Sequence, residues 1–321
     1  MLVSSALPIG GYIELQLPAG NEYYPSLLKL NTGRNSLEYI LRVEGYTTIY
    51  LPYFTCEVML EPVKKLGLEL KFYHIDRHLD PILDFDIGPG ECLVYTNYFG
   101  IKQATVQRLS KIVNNLIIDN SQAFFSSPLP GINTFYSCRK FFGVPDGAYL
   151  QLNSDNRLDL QDDFSAGRFS HLIKSIDLGI EDGYSDYIEN NNILCYAAIK
   201  QMSPLTRKIL SGINYEECKL KRNANFKFLH YFLADYNELP IDVAGDSSPL
   251  VYPLLLSKPG LKKQLIEKKI FVATYWPNVF EWTGPEMLEY QLAENIIALP
   301  IDHRYNLDHM TRIVNVLNQL L

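Results

Sequence analysis

The sequence predicts an α/β fold, in which a mostly parallel central sheet is flanked by helices and is followed by a smaller C-terminal α+β domain. In the first half, short apolar runs alternate with segments that have the hydrophobic period of a helix. This alternation is typical of βαβ units and of a parallel sheet. From about residue 150 the pattern changes, first to a polar, turn-rich stretch and then to longer helical segments. We therefore predict a large domain at 1–185 and a smaller one at 186–321.

The elements of the first half follow from hydrophobic runs of strand length and from helical periods between them. The predicted strands cover residues 48–52, 68–75, 92–99 and 116–120. The predicted helices cover residues 36–44, 55–66 and 105–113. Because proline cannot donate a backbone hydrogen bond, Pro62 predicts a kink or an early end in the second of these helices.

The second half contains more helix than strand. The predicted helices cover residues 187–202, 204–211, 215–236, 261–269 and 307–320. The predicted strands cover residues 250–256 and 270–274.

Composition excludes several classes of protein. A hydrophobic content of 47% in 321 residues supports a large core, and a net charge of −7 argues against nucleic acid as the main partner. The five cysteines show no metal-binding spacing, and we expect free thiols in a reducing compartment. Residues 1–15 lack the basic start of a signal peptide, and no apolar run reaches about 18 residues, so we expect a cytoplasmic protein without a membrane span.

One stretch carries residues suited to a specific chemistry. Asp119 closes the apolar strand at 116–120, and Lys140 follows 21 residues later, after Ser137 and beside Phe141. A lysine amine can bond covalently to pyridoxal phosphate (PLP), while a carboxylate keeps the pyridine nitrogen of that cofactor protonated. Hydroxyl and backbone N–H groups can hold the phosphate. In parallel sheets such ligands gather at the carboxyl ends of the strands.

Each of these residues also has a purely structural interpretation. A lysine is usually solvated, and an aspartate after a strand often caps a turn. Gln122 could also be a polar residue on a solvated turn. His74 and His78 have a spacing that would suit a metal only on a helix, but they span a strand end and a loop, so we predict no metal site.

Taken together, the motifs resemble the DegT/DnrJ/EryC1/StrS aminotransferases, which are PLP-dependent enzymes of fold type I. The block IIDNSQAF is similar to the D-x-x-Q motif of that family, and Lys140 followed by Asp146-Gly147 resembles its K-x(5)-E-G. Further similar segments lie at 30–41, 50–67, 96–100, 268–278 and 299–305. The resemblance covers most of the chain and implies fold type I with PLP as cofactor.

The resemblance also implies roles for individual residues. Lys140 would be the catalytic lysine, Asp119 would pair with the ring nitrogen, and Gln122 would contact the ring hydroxyl. The phosphate would be held by Ser137 and by the helix start at residues 32–34, which are Thr32, Gly33 and Arg34. Phe54 or its neighbour Tyr53 would stack on the ring, although core packing explains these aromatics equally well. Asn97, where the family often has histidine, would bond cofactor or substrate or would cap the strand end. Arg139 is a candidate for a substrate carboxylate or phosphate.

The function implied is transfer of an amino group from an amino acid such as glutamate to a nucleotide-linked keto sugar, in surface polysaccharide or related biosynthesis. A homodimer with a shared active site is expected in that family. Two departures are visible: Ser137 lies three residues before the lysine where five is commoner, and the chain is shorter than typical members. Another PLP enzyme, such as a lyase or decarboxylase, and a non-catalytic regulatory protein on the same scaffold therefore stay open. Dehydrating members carry histidine in place of the lysine, which Lys140 argues against.

Overall fold

A computed structural model describes residues 9–241 and 247–321 of the chain. The first eight residues of the segment considered for a signal peptide lie outside the described residues. Within the described residues, seven strands form one sheet and two more form an antiparallel pair. The same residues form eleven α-helices. The predicted α/β class is confirmed.

The large sheet has the order β1-β7-β6-β5-β4-β2-β3. Its strands are β1 (Leu28–Leu30), β2 (Thr48–Pro52), β3 (Glu69–Tyr73), β4 (Glu91–Thr96), β5 (Leu116–Asp119), β6 (Asn133–Ser137) and β7 (Ala148–Gln151). The neighbours from β3 to β6 pair in parallel, whereas β7 is antiparallel to both β6 and β1. The carboxyl ends of β4, β5 and β6 therefore meet at one edge of the sheet.

Helices cover both faces of this sheet. The helices up to residue 233 are α1 (Gly33–Glu44), α2 (Leu60–Leu66), α3 (Gln103–Ile112), α4 (Ser170–Asp177), α5 (Tyr184–Leu194), α6 (Pro204–Ser211) and α7 (Tyr215–Leu233). Along β2, Ile49 and Leu51 pack into the cluster that contains α1, while Tyr50 points into the cluster on the other face. This alternation follows from the two-residue period of a strand.

The C-terminal part forms a third hydrophobic cluster around a two-stranded antiparallel sheet. It contains β8 (Val251–Leu255), α8 (Leu261–Glu267), α9 (Val279–Trp282), α10 (Leu288–Asn295), β9 (Ile296–Pro300) and α11 (Leu307–Leu320). Phe226 and Leu229 of α7 belong to the same cluster. The boundary between domains at 185/186 stays a prediction.

Three sequence predictions are wrong in detail. Pro62 produces neither a kink nor an early end, because α2 begins only at Leu60 and so places the proline in the first turn, where its missing N–H costs nothing. The helix predicted at 187–202 ends at Leu194, since the following residues bond to the backbone beside β1, as Met202 N does to Lys29 O. The segment 270–274 forms no strand, and β8 pairs with β9 instead.

Candidate active site

The turn after β5 brings the two most important predicted residues together. The backbone N–H of Ser121 donates to Asp119 Oδ1 over 2.8 Å, which fixes the turn that follows the strand. Lys140, at the end of a short 3-10 turn after β6, donates from Nζ to Ser121 Oγ over 3.2 Å. Asp119 is buried, whereas the Lys140 side chain is exposed. One serine thus links an accessible amine to a buried carboxylate.

Gln122 lies beneath the same turn and is fully buried. Its Oε1 accepts a hydrogen bond of 2.6 Å from the backbone N–H of Phe99, whose φ is +55°. Its Nε2 is buried and has no hydrogen-bond partner in the described part of the chain. Because an unsatisfied buried donor costs about 1–3 kcal/mol, this amide is suited to receive an acceptor such as a ring hydroxyl oxygen.

The start of α1 lies beside Ser137. Thr32 caps the helix, because its Oγ1 accepts from the N–H of Asn35 over 3.1 Å. A Cβ placed on Gly33 would lie 3.7 Å from the Phe135 ring and 3.9 Å from Ser137 Cβ. The first N–H groups of a helix have no acceptor within the helix and favour anions. The helix start and Ser137, which are predicted to hold the phosphate, are therefore neighbours. The Arg34 side chain is the exception, because it is engaged elsewhere.

Two arginines add positive charge near this helix start. Arg34 forms an ion pair with Glu61, so the Arg34 guanidinium is already engaged. Glu61 also accepts a hydrogen bond from the N–H of Tyr196. Arg139 donates to Asn191 Oδ1 over 2.6 Å. Burial lowers the pKa of Arg139, and the positive charges of Arg34 and Arg168 act in the same direction. A bound dianion would relieve this repulsion.

Asn97 and Phe54 have their contacts within the protein. Asn97 is fully buried, its Nδ2 donates to Asn120 Oδ1 over 3.1 Å, and its Oδ1 accepts from the N–H of Lys102. Phe54 is also fully buried, with its ring centroid 5.1 Å from that of Trp276. Roles of these two side chains toward a cofactor stay predictions. Tyr53 stacks on Phe72 at 4.7 Å.

A cleft of about 190 Å³ opens beside Lys140. Besides Lys140 it is lined by Arg222 of α7, by the start of β8, by the segment that follows α8, which includes Tyr275, and by the end of β9 with the following Asp302. Ser121, Arg222 and Tyr275 were not predicted as site residues. A signal for Arg222 exists in the sequence, since it lies four residues after Cys218 and four before Phe226 on the buried face of α7.

These observations fit a phosphorylated pyridine ring. The arrangement offers an accessible amine, a buried carboxylate next to it, an unpartnered amide donor and a helix start flanked by a serine. No group of three or more metal-binding side chains occurs in residues 9–241 and 247–321. Among the same residues, no helix combines the length and the apolarity that crossing a bilayer requires.

The chain matches no protein-family model, and a search of curated proteins finds no relative. Solved structures, in contrast, show a clear likeness. A DegT DnrJ EryC1 StrS aminotransferase from Brucella abortus shares 14% identity at a TM-score of 0.61, over 92% of this chain and 85% of that chain. A sugar aminotransferase from Micromonospora echinospora shares 15% identity at a TM-score of 0.61, over 92% and 87%.

A third structure, NtdA from Bacillus subtilis with bound cofactor PMP, shares 14% identity at a TM-score of 0.64, over 91% of this chain and 72% of that chain. Because the sequence identity is so low, these similarities show the fold of the chain alone. The fold predicted from the sequence is confirmed: this chain has the α/β fold, with its seven-stranded mostly parallel sheet, of the aminotransferases it is similar to.

Proposed function

We propose that the protein is a PLP-dependent aminotransferase that moves an amino group from an amino acid such as glutamate to a keto sugar, most simply one linked to a nucleotide. The observation that carries the proposal is the hydrogen bond of 3.2 Å from Lys140 Nζ to Ser121 Oγ. The backbone N–H of the same serine donates to Asp119 Oδ1 over 2.8 Å. The shared fold with sugar aminotransferases supports the same conclusion. A place in surface polysaccharide or related biosynthesis follows from that substrate class.

Each residue has a defined task in this proposal. PLP, when bound, supplies a ring that accepts electron density from the α-carbon of the substrate. Asp119 holds a proton on the ring nitrogen by charge attraction, and Gln122 Nε2 donates to the ring oxygen. The helix start at Gly33, together with Ser137 and Arg139, binds the phosphate.

Lys140 has two tasks. Its amine would provide the covalent attachment for the cofactor, and once the substrate amine has replaced it, the free amine would carry a proton from the substrate α-carbon to the cofactor. An amine at the mouth of the cleft can reach both the bound ring and an entering substrate, because its side chain is exposed there. Ser121 positions this amine.

A homodimer and a cytoplasmic location belong to the same proposal. The α4–α5 region presents exposed apolar side chains, including Ile176 at 83% and Leu178 at 65% exposure. Exposed apolar patches of this kind mark interfaces, and we propose a second copy of the chain as the occupant. All five cysteines are free thiols, which suits a reducing compartment. Light scattering of the purified protein measures the oligomeric mass directly.

The test is spectroscopic. The protein is mixed with PLP and the visible band of the lysine-bound cofactor is recorded before and after addition of L-glutamate. We expect the band to form and then to move to shorter wavelength. Lys140→Ala should abolish the band while the far-UV circular dichroism is kept, whereas the exposed control Lys111→Ala should behave as the native protein.

The outcomes separate the alternatives. A band that persists in Lys140→Ala means that another lysine holds the cofactor. A band that no amino donor moves favours a non-catalytic protein on the same scaffold. Turnover of an amino acid without any keto acceptor favours a lyase or decarboxylase, since a transaminase needs donor and acceptor in alternation.

A further inference from the structure

Residues 9–16, which we call the arm, carry large apolar side chains that face solvent. Tyr12 is 97% exposed, Ile13 is 83% exposed and Leu15 is 61% exposed. The arm forms neither helix nor strand. A single exposed apolar side chain is ordinary, but several of them together on one short segment mark a surface that binds a partner.

The segment that follows the arm is held against α6. A Cβ placed on Gly212, directly after this helix, would lie 2.8 Å from Pro18 O. Glu22 accepts a hydrogen bond of 2.9 Å from the hydroxyl group of Tyr149 and lies 3.4 Å from Nε of Arg207 on α6. The arm therefore leaves the body of the chain beside α6.

A groove of about 380 Å³, which shares no residue with the cleft beside Lys140, lies at the same helix. Its apolar lining includes Leu30 of β1 and Met202, which are both 1% exposed, and the half-buried Leu158 and Leu160. Arg207 of α6 also lines it. The groove and the arm are thus on the same side of the chain, and both have apolar surface.

The groove attracts negative charge. Three charged side chains line it, and all of them are cations: Lys29, Arg157 and Arg207. Lys29 and Arg207 share a single carboxylate, that of Glu22, at 3.7 and 3.4 Å. Asp155 and Asp159, which flank Arg157 in the chain, are exposed and do not line the groove. The arm carries one charge, the carboxylate of Glu14.

We propose that the arm of one copy of this chain binds in the groove of a second copy. In an extended backbone successive side chains point to opposite sides, so Ile13 and Leu15 enter the groove together while Glu14 meets the cations at its mouth. Because the arm and the groove both lie beside α6, a two-fold axis near this helix lets each copy receive the arm of the other. This contact adds to the proposed homodimer and is independent of the PLP chemistry.

Charge favours the groove over the exposed apolar face of α4 and α5 as the surface that receives the arm. Residues 170–194 carry five carboxylates and one lysine, so Glu14 would meet charge of its own sign there. Like charges that face each other across an interface weaken it. The groove of the same chain is not filled by its own arm, since Ile13 is 83% exposed.

Disulfide trapping tests whether the arm crosses between copies. Leu15→Cys and Leu160→Cys are made as separate variants, both with the exposed Cys195 replaced by Ser, and are co-expressed. Each variant supplies one of the two thiols, so only a contact between copies can join them. After oxidation we expect a covalent dimer from the co-expressed pair and from neither variant alone. Absence of that dimer overturns the proposal, and an intrachain disulfide in the double variant would then place the arm in its own groove.

Sedimentation equilibrium measures how much the arm contributes to the dimer. Ile13→Ser removes an apolar side chain that each dimer buries twice, so the dissociation constant of the dimer should rise roughly 100-fold or more. Glu14→Arg and Arg157→Glu should each raise it roughly tenfold, and the two together should restore it, because the charges are exchanged. Ile112→Ser, which alters a side chain that is 62% exposed on α3, is the matched control and should leave the constant unchanged.

The outcomes separate this contact from the proposed function. If Ile13→Ser and Ile112→Ser dissociate at the same concentration as the native dimer, the arm contact is refuted and the homodimer stands. If the native protein is a monomer at all concentrations, the homodimer and the arm contact fail together. The visible band of bound PLP and its response to L-glutamate are read separately, so neither result alters the test of the chemistry.

Discussion

Replacement of Gly147 by alanine probes how the loop that carries Lys140 is held. Gly147 has a φ of +115°, and a Cβ there would lie 2.9 Å from Thr206 Cγ2 and 3.3 Å from Cys138 Cβ. Its carbonyl accepts from the N–H of Cys138 over 3.1 Å, and its own N–H donates to Asn31 O over 2.6 Å. The residue therefore joins β7 to the short turn that ends in Lys140.

Two costs add at this position. An L residue in so sparsely populated a backbone region costs roughly 1–3 kcal/mol. Forcing a methyl group against Thr206 and Cys138 costs roughly 1–3 kcal/mol more, because the core there is closely packed. The free energy of unfolding should fall by about 2–6 kcal/mol, a large part of the roughly 5–15 kcal/mol that holds a typical domain together.

Gly131 offers a matched control in the loop before β6. Its φ is +77°, and a Cβ there would meet nothing within 4 Å, so Gly131→Ala should cost only the roughly 1–2 kcal/mol of the left-handed backbone. Urea unfolding followed by fluorescence measures both variants. Equal destabilisation by the two would refute the steric part of the reasoning. If the visible band of bound PLP is weaker in Gly147→Ala but not in Gly131→Ala, the loss of stability is linked to the position of Lys140.

Two further predictions concern a site residue and the pH dependence of stability. Asp119→Asn should slow the reaction with L-glutamate by about 10²–10³-fold, as removal of a preorganised charge typically does. PLP should still attach to Lys140 in this variant. Stopped-flow absorbance measures the rate, and an unchanged rate would remove Asp119 from the mechanism. Burial lowers the pKa of Lys262 from 10.5 to about 8, so between these values the unfolded chain binds the extra proton and stability rises with pH. At pH 7 the Lys262→Met variant should have a higher free energy of unfolding in urea than the native protein, and this difference should shrink toward pH 10. A difference in stability that stays constant with pH would contradict the assignment.

Local pattern was sufficient for many elements. The helices at Pro204–Ser211 and Leu307–Leu320 have the predicted bounds, because a proline or capping residue at the start and a regular apolar stripe are both local signals. The strand that delivers Asp119 was equally visible, since a short apolar run followed by polar residues reports a buried strand end. Lys140, Asp119 and Gln122 could likewise be proposed from residue types in one stretch.

The tertiary structure decided what depends on partners distant in the chain. Whether an apolar run forms a strand is set by its neighbour in space, so residues 270–274 form none while Ile296–Pro300 forms the strand beside β8. The contact of Lys140 with Ser121 depends on how two loops at adjacent strand ends approach each other. The sequence by itself determined the class of the fold and the residue types of the site; only the packed structure determined that the cation of Arg222 is buried beside Lys140, because burial arises from contacts that span 82 residues of chain.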